Sequence, residues 1–486
     1  MSESLRDALA RVLVTVRSAP VREEALRPHG DLIDAAFQEW LDGVRAGREA
    51  ESEDYLAMFH ELVPASPNVL GLGMVMACQK EDLERAAYFA RKLLPLDPGS
   101  SAVRSILADD CRIKGQVDDE VEHRLFLSLP EAAQQERDQS RHLYEAVNVT
   151  LCSHLTPLRE RRLAEALTLH RRLCDDSEAA GSADPWISFH QAMMQVIDPA
   201  SLDWPADLDS PPLPRLAGAD GVVREVGEWA RDWVEDDVQV VFCVAADPLY
   251  CRRYVPLYVR SVLRNAGLSC RVLVHVIGAG DGLPEFVRSL GLDDRRVVFS
   301  GDDFDPSTVR GEVVDAPTRV LSGVPIAHYQ SARFIVAASL LSAFGLPVFV
   351  SDIDTVLQRG VGHLLARTRD MDVVLNENRG VTQFGAAITA NLLLLRPTPG
   401  GRLFANFLPR YLAPALAGKQ IPKWVDQIAL GMARHYLVRR MPAARIGYFD
   451  TASDINNVVY RVYKENPFCF LSLYQEFDLA SLPDGA

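Results

Sequence analysis

Apolar side chains recur at intervals of three and four positions through the first 200 residues, where Ala, Leu, Glu and Arg predominate. Because this spacing collects apolar side chains on one face of a helix, the pattern predicts an all-α domain over residues 1–200. Five prolines between residues 198 and 218 cannot continue a helix. Residues 201–236 are therefore predicted to form a linker that carries one short amphipathic helix within residues 222–234.

From residue 237 to residue 486 the pattern changes, because short apolar runs begin to alternate with amphipathic segments. The runs 238–246, 270–278 and 295–301 predict buried strands, and the segments 254–267 and 283–291 predict helices. This alternation predicts an α/β domain with a mostly parallel sheet that helices cover on both faces. Ligands of such sheets bind beyond the carboxyl ends of the strands, so the turns there are the candidate sites.

One helical segment, LERAAYFARKLLPLDPGS over residues 83–100, resembles the second half of a tetratricopeptide repeat. It has a small Ala86, the aromatic pair Tyr88 and Phe89, and a closing Pro98. Prolines recur at similar helix ends 34 residues before Pro98 and 32 residues after it, close to the period of that repeat. Stacked helix pairs would offer a concave surface to a protein partner. An irregular helical bundle is the alternative interpretation.

Composition narrows the class of partner. The chain has 486 residues, is 48% hydrophobic and 24% charged, and carries a formal net charge of -15. We expect no nucleic-acid partner, because no basic stretch offsets this charge. We expect neither a signal peptide nor a transmembrane segment, since no apolar stretch reaches about 18 residues. The eight cysteines are scattered, which predicts reduced thiols and a cytoplasmic protein.

The turns after the first two predicted strands differ in what they suggest. The second turn, residues 276–282, lacks the third glycine of a dinucleotide-binding motif and predicts only a tight glycine turn. In the first turn, Ala245 and its neighbour Ala246 leave room for a flat ring. Asp247 would accept a hydrogen bond from a base or ribose, and Tyr250 would stack on the base. Asp247 capping the next helix is the alternative.

The stretch LPVFVSDIDTVL, residues 346–357, begins with an apolar run, and two carboxylates, Asp352 and Asp354, follow that run. Side chains two apart on a strand share a face, so Asp352 and Asp354 point the same way and repel each other unless a cation lies between them. Mn²⁺ or Mg²⁺ suits such oxygen ligands and would neutralise a leaving diphosphate. A solvated acidic turn is the alternative, because Asp-x-Asp also occurs at residues 207–209, 303–305 and 370–372.

An ordered series of segments resembles a GT-A glycosyltransferase, most closely the family-8 retaining galactosyltransferases, over residues 238–457. The segments are VVFCVAADPLY (240–250), SARFIVAASLL (331–341), VFVSDIDTVL (348–357), ANLLLLRPT (390–398) and WVDQIALG (424–431). The resemblance implies a GT-A domain with a mixed, mostly parallel sheet. It also implies a UDP-sugar donor, a divalent cation and transfer of a hexose to an acceptor hydroxyl.

The resemblance further implies a role for each matching residue. Ala245, Asp247 and Tyr250 would hold the nucleotide. Arg333 would orient the donor, while Asp352 and Asp354 would bind the metal and Asp352 would also contact the donor. The remaining residues would act on the sugar: Asn391 and Asp426 by hydrogen bonding, and Gln427 beside the anomeric carbon.

The chain departs from the family at the third metal ligand, a histidine in a C-terminal His-x-x-Gly-x-x-Lys stretch. No such stretch follows His435, which we expect to be structural. Water, Asp450, Asp454 or Asn456 would complete the metal site instead. The sequence therefore favours a metal-dependent transferase whose helical half recruits a protein or cell-surface glycan acceptor. An inactive scaffold and a nucleotidyltransferase are the alternatives.

Overall fold

The computed structural model describes residues 4–133, 135–179, 185–213, 215–316, 319–322, 325–378, 381, 383–422, 424–451, 453–456 and 468–472. Contacts within the chain divide it into two compact units, Met1–Thr150 and Leu151–Ala486. The boundary of the helical domain at residue 200 stays a prediction.

The first unit is built from helices. They are α1 Leu5–Ser18, α2 Arg22–Leu26, α3 Gly30–Arg45, α4 Glu49–Leu62, α5 Pro67–Gln79, α6 Leu83–Leu93, α7 Ser101–Lys114, α8 Val117–Leu127 and α9 Glu136–Cys152, the last running across the division. Helices α4, α6 and α8 begin at Glu49, Leu83 and Val117, at intervals of 34 residues. Helix α5 packs on α6, and α7 packs on α8. This interval is that of tetratricopeptide repeats, although the assignment to that family stays a prediction.

A buried arginine joins the last helices of this unit. Arg124 on α8 is 1% exposed, and its guanidinium lies 2.6 Å from Asp109 on α7 and 2.9 Å from Glu145 on α9. Because a buried charge is costly without partners, these contacts make α7, α8 and α9 depend on one another.

The second unit contains strands β1 Leu216–Gly218, β2 Val223–Arg224, β3 Val240–Ala246, β4 Cys270–Val276, β5 Val297–Gly301, β6 Glu312–Ala316, β7 Arg319–Ser322, β8 Val348–Ser351, β9 Thr355–Leu357, β10 Val373–Glu377, β11 Ile388–Leu395, β12 Gln420–Pro422, β13 Ile446–Tyr448, β14 Ile455–Asn456 and β15 Phe470–Ser472. Its helices are α10 Pro157–Ala179, α11 Pro185–Val196, α12 Val226–Glu235, α13 Pro248–Asn265, α14 Leu283–Ser289, α15 Ile326–Phe344, α16 Gly362–Arg367, α17 Phe384–Ala387, α18 Pro399–Leu416 and α19 Val425–Arg440.

Nine strands form one sheet in the order β13-β10-β11-β8-β3-β4-β5-β1-β2. Strands β8, β3, β4 and β5 are parallel, as are β10 and β13, whereas β11 runs antiparallel to both β8 and β10. The prediction of an α/β domain with a mixed, mostly parallel sheet is confirmed. The chain leaves β3 for β4 on one side and returns to β8 on the other, which makes β3 the switch point of the sheet.

Helices cover both faces of the central strands. Phe242 and Val244 of β3 pack in one apolar cluster with Tyr258 of α13, while Ala245 on the opposite face packs with Ala332 of α15. Residues of a strand alternate between faces, so a strand buried on both sides is apolar at every position. This explains why the predicted strands have no polar alternation.

Residues 151–196 contact other elements of the second unit. Helix α11 contacts β6 and β12, and the carbonyl of Leu151 accepts a hydrogen bond of 2.7 Å from His435 on α19. Part of the predicted linker also enters the sheet, since β1 pairs antiparallel with β5. The short helix expected within residues 222–234 is α12, which begins at Val226.

Two general features of the described residues bear on the expectations from composition. None of their helices has both the length and the apolar character needed to cross a membrane. All eight cysteines are described as free thiols, six of them buried.

We expect Phe349→Ala to lower the free energy of unfolding by about 3–5 kcal/mol, because it opens a cavity in the central sheet. Phe349 on β8 is 0% exposed and stacks on Phe242 with 5.4 Å between ring centroids. Urea denaturation measures the change. The control Val234→Ala removes a side chain that is 81% exposed and should change the free energy by less than about 0.5 kcal/mol. Equal effects would contradict the assignment of Phe349 to the core.

Candidate active site

The predicted site residues converge at one edge of the nine-stranded sheet. The parallel strands β3 and β8 end there, and the antiparallel β11 begins there, so residues from three distant segments become neighbours. The backbone N–H of Asp352 donates to the carbonyl of Asn391 at 3.3 Å, next to the paired residues Ser351 and Leu392. Asp426 enters from the first turn of α19.

Arg333 lies at the centre of this convergence. It projects from α15, is 5% exposed, and its Nη2 lies 2.9 Å from Asp352 Oδ1 and 3.5 Å from Asp426 Oδ2. The same nitrogen donates to the carbonyl of Ala390 at 3.2 Å. One guanidinium therefore holds together the end of β8, the start of β11 and the start of α19.

Asp354 has a different environment from Asp352. Its Oδ2 accepts a hydrogen bond of 3.3 Å from the hydroxyl of Tyr250 on α13. Burial, and to a lesser extent the charge of Asp352, raise the pKa of Asp354 to about 7. Tyr250 and Arg333 oppose this shift. Tyr250, for which base stacking was expected, thus directs its hydroxyl at the predicted metal-binding carboxylate.

Asp426 and Gln427 sit at the start of α19 as predicted. Asp426 is 3% exposed, and burial raises its pKa to about 6 although Arg333 opposes the shift. With its amide nitrogen facing the backbone, Gln427 donates to the carbonyls of Gly385 at 3.0 Å and Ile388 at 3.1 Å. The amide oxygen of Gln427 therefore remains as the acceptor that the side chain can offer.

Asn391 lies on β11 and accepts a hydrogen bond of 2.7 Å from the side chain of Asn376 on β10. The bond fixes the Asn391 amide beside Asp352, whose N–H donates to the Asn391 carbonyl. Asn376, which is 1% exposed, carried no motif in the sequence and was not predicted.

The carboxylates present fit a divalent cation. Asp352 pairs with Arg333, whereas burial raises the pKa of Asp354 to about 7 although Arg333 opposes the shift. Hard oxygen ligands of this kind suit Mn²⁺ or Mg²⁺. Within the described ranges no three His, Cys, Asp or Glu side chains are grouped to hold a metal ion together. Water or donor oxygens would thus have to supply further ligands.

The residues considered for completing the metal site have structural contacts of their own. The carboxylate of Asp454 is 0% exposed on its side chain and bonds to Arg367, and it accepts from the backbone N–H of Asp450 at 2.7 Å. Burial lowers the pKa of His435 to about 3, and its Nε2 donates to the carbonyl of Leu151. His435 is therefore structural, as expected, and the side chain of Asn456 lies outside the described residues.

Asp247 caps the helix that follows it. Its Oδ1 accepts from the backbone N–H groups of Leu249 at 2.8 Å and Tyr250 at 2.9 Å. The capping interpretation is thus confirmed, while a role of Asp247 in holding a base stays a prediction. Ala245, 6% exposed, packs with Ile277 and Ala332 beside two aromatic residues, Phe304 and Tyr329.

The sequence analysis missed a polar cluster next to Ala245. Asp302 follows β5, and its carboxylate lies 3.1 Å from His275 Nε2 and 3.8 Å from His328 Nε2. It also accepts from the Gly278 N–H at 2.7 Å. Although burial acts in the opposite direction, these neighbours hold the pKa of Asp302 below its ordinary value. The ring of His328 stacks on Phe304 with 3.6 Å between centroids.

A signal for this cluster existed in the sequence. Asp302 directly follows an apolar strand, as Asp247 and Asp352 do. It was not predicted because the adjacent Asp-x-Asp at residues 303–305 was the motif considered there. Asp305 caps its own turn by accepting from the Ser307 N–H at 2.8 Å. The predicted tight glycine turn at Gly278 is confirmed by its φ of 73°, and a Cβ there would lie 2.6 Å from the carbonyl of Phe304.

We expect Arg333→Gln to lower the free energy of unfolding by about 3–5 kcal/mol, because the buried Asp426 and the partly exposed Asp352 lose their cationic partner. The control Arg369→Gln removes an arginine side chain that is 78% exposed and lies 3.6 Å from Asp370. Exposed pairs contribute at most about 1 kcal/mol, so the control should change little in urea denaturation. A control effect as large as that of Arg333→Gln would refute the central role of Arg333.

Asp354 should give a pH-dependent stability. Its pKa is raised to about 7, so the folded chain retains a proton that the unfolded chain releases above its ordinary value of 3.8. The wild type therefore loses stability relative to Asp354→Asn as pH rises from 5 to 8, by about 1–2 kcal/mol without added metal. Urea titrations at several pH values test this. The exposed control Asp281→Asn should leave the profile unchanged, and a flat difference for Asp354→Asn would contradict the raised pKa.

Solved structures similar to this chain are glycosyltransferases. The galactosyltransferase LgtC, in complex with donor and acceptor sugar analogues, matches at 15% identity and a TM-score of 0.31, over 49% of this chain and 88% of that one. The bifunctional glycosyltransferase WbbM, in its apo form, matches at 12% and 0.31, over 49% and 46%. Mouse xyloside xylosyltransferase 1, also apo, matches at 11% and 0.29, over 49% and 98%. No protein-family model and no curated protein matches the sequence. At these low identities and TM-scores the similarities identify neither the activity nor the substrates of this chain.

Proposed function

We propose that the second unit is a metal-dependent glycosyltransferase that transfers a hexose from a UDP-sugar to an acceptor hydroxyl. The observation that carries the proposal is the convergence on Arg333. Asp352, Asp426 and the carbonyl of Ala390, next to Asn391, all contact its guanidinium although they come from separate segments of the chain. Motifs that occur by chance would not be expected to lie together at the ends of neighbouring strands.

The donor diphosphate would bind beside Asp352 and Asp354. These two carboxylates would hold a divalent cation, Mn²⁺ or Mg²⁺, which neutralises charge on the leaving diphosphate. Arg333 would hold Asp352 in place through the 2.9 Å contact. The nucleoside would lie toward Ala245 and Asp247, whose helix cap brings Tyr250 against Asp354.

The hexose would lie between Asn391 and the start of α19. Asp426 would accept hydrogen bonds from sugar hydroxyls, and its place in the first helical turn favours a negative charge there. Gln427 commits its amide nitrogen to two backbone carbonyls, so its oxygen faces away from the nitrogen and suits a developing oxocarbenium charge. An amide is a poor nucleophile, so positioning and electrostatic stabilisation are the roles proposed, with retention favoured by the family resemblance.

The first unit would recruit the acceptor, a protein or a cell-surface glycan. Helices spaced at 34 residues are the basis for this part of the proposal, since stacked helix pairs commonly present a binding surface.

Calorimetric titration of UDP with and without Mn²⁺ tests the proposal. We expect wild-type binding to require the metal, and Asp354→Ala to weaken it by more than about tenfold, because a coordinating carboxylate is lost. The matched control is Asp370→Ala, which alters an Asp-x-Asp whose first carboxylate is 61% exposed. The control should bind UDP as the wild type does.

Two outcomes would overturn the proposal. Absence of UDP binding with either Mn²⁺ or Mg²⁺ would leave the scaffold interpretation. Metal-independent binding that Asp354→Ala does not affect would place the nucleotide elsewhere on the chain.

A further inference from the structure

A cavity of about 470 Å³ lies within the second unit beside the candidate active site. The carboxyl-terminal half of α19, strand β13 and the segment following Leu151 surround it. Its polar lining consists mainly of Cys152, His154, Glu160, Arg434, Arg439 and Tyr448. The sequence did not predict this cavity, because its walls come from segments about 280 residues apart. The hydrogen bond between His435 and the carbonyl of Leu151 holds these segments together.

Arg434 is the cation that this cavity has available. Its side chain is 13% exposed, and it lies 3.6 Å from Glu377 Oε1 and 3.5 Å from the carbonyl of Leu151. Both distances exceed the roughly 2.7–2.9 Å of a good charge-assisted hydrogen bond. Arg439, by contrast, lies 2.8 Å from Glu160 and 2.7 Å from Asp203.

Glu377 and Glu160 are carboxylates near Arg434, and the adjacent His435 adds no positive charge. His435 has its pKa lowered to about 3 by burial, and Arg434 acts in the same direction, so His435 is neutral at physiological pH. A guanidinium carries five N–H donors in a fork that matches a carboxylate. The loosely held fork of Arg434 therefore favours an anionic group in the cavity.

The cavity is coupled to Gln427 by short steps. Arg434 lies seven residues beyond Gln427 on the same helix, which is about 10 Å along the axis. Glu377, the partner of Arg434, pairs in register with Ile388, and the carbonyl of Ile388 accepts from the Gln427 amide. A molecule in the cavity thus lies too far away to react itself but close enough to be the distal end of a substrate that does.

We propose that the cavity binds the distal part of an acidic acceptor oligosaccharide, with Arg434 receiving its carboxylate and Tyr448 lying against the sugar. This inference rests on the proposed transferase function and specifies its acceptor class. The reacting hydroxyl is placed about two helical turns away, near Gln427, so the acceptor must be longer than one sugar unit.

Titration of the full-length chain with D-glucuronate, followed by ligand-observed NMR, tests the site. We expect Arg434→Gln to weaken glucuronate binding by about tenfold, because one charge-assisted contact is lost. The control Arg264→Gln, in the last turn of α13, should have no effect.

Neutral and inorganic competitors define the ligand class. The wild type should bind D-glucose more weakly than D-glucuronate. The variant Arg434→Gln should bind the two sugars with equal affinity. Inorganic phosphate should compete only weakly with bound glucuronate. If phosphate binds to the site as tightly as glucuronate does, the assignment to a carboxylate sugar is overturned. It is also overturned by glucuronate binding that Arg434→Gln leaves unchanged, or by no binding to the wild type up to concentrations of about 10 mM, where even Kd values of about 1 mM saturate.

The acceptor role has its own readout, separate from that of the donor. UDP release from UDP-galactose, with a glucuronate-ended disaccharide as acceptor, should fall for Arg434→Gln while the affinity for UDP stays unchanged. Unchanged release would overturn the acceptor role. Asp354→Ala should lose UDP affinity and keep glucuronate binding. Wild-type chain that binds glucuronate but not UDP would reject the proposed transferase function and with it the acceptor role, leaving the cavity as an anion site.

Discussion

The contact of Arg333 with Asp352 and Asp426 is the interaction on which the candidate site depends. One buried guanidinium faces two carboxylates, and a third, Asp354, lies two residues from the first. Burial is the main cause of the raised pKa values of Asp354 and Asp426; the charge of Asp352 acts in the same direction, and Arg333 opposes both shifts. Burying such groups costs free energy that packing alone would not require.

The sheet explains why these groups meet. The parallel strands β3 and β8 end at the same edge, and the antiparallel β11 starts there. Side chains that are remote along the chain are therefore brought within hydrogen-bonding distance of one another. The start of α19 adds Asp426 and Gln427, and the partial positive charge of a helix start favours a carboxylate at that position. Asp247, Asp352 and Asp354 lie in the turns that follow β3 and β8, so the sheet positions the turns and the turns carry these carboxylates.

The division of the chain between Thr150 and Leu151 changes how the helical half is understood. Helices α10 and α11 belong to the second unit, and the segment after Leu151 lines the cavity beside α19. The predicted helical half therefore extends across both units of this division. Its last part helps to build the surroundings of the site, and only the helices before residue 150 have the regular spacing of repeats.

The sequence by itself determined the strands, the α/β class and the carboxylates at strand ends. Those features depend on local periodicity and on the geometry of a single strand, so residues such as Asp352 and Asp354 could be chosen from a short stretch. Only the tertiary structure decided that the Tyr250 hydroxyl donates to Asp354, that Asp302 lies close to two histidines, and that Arg434 lines a cavity. These contacts join residues far apart in sequence, and their existence depends on the order of strands in the sheet. No local pattern encodes that order, because it is set by the packing of the whole chain.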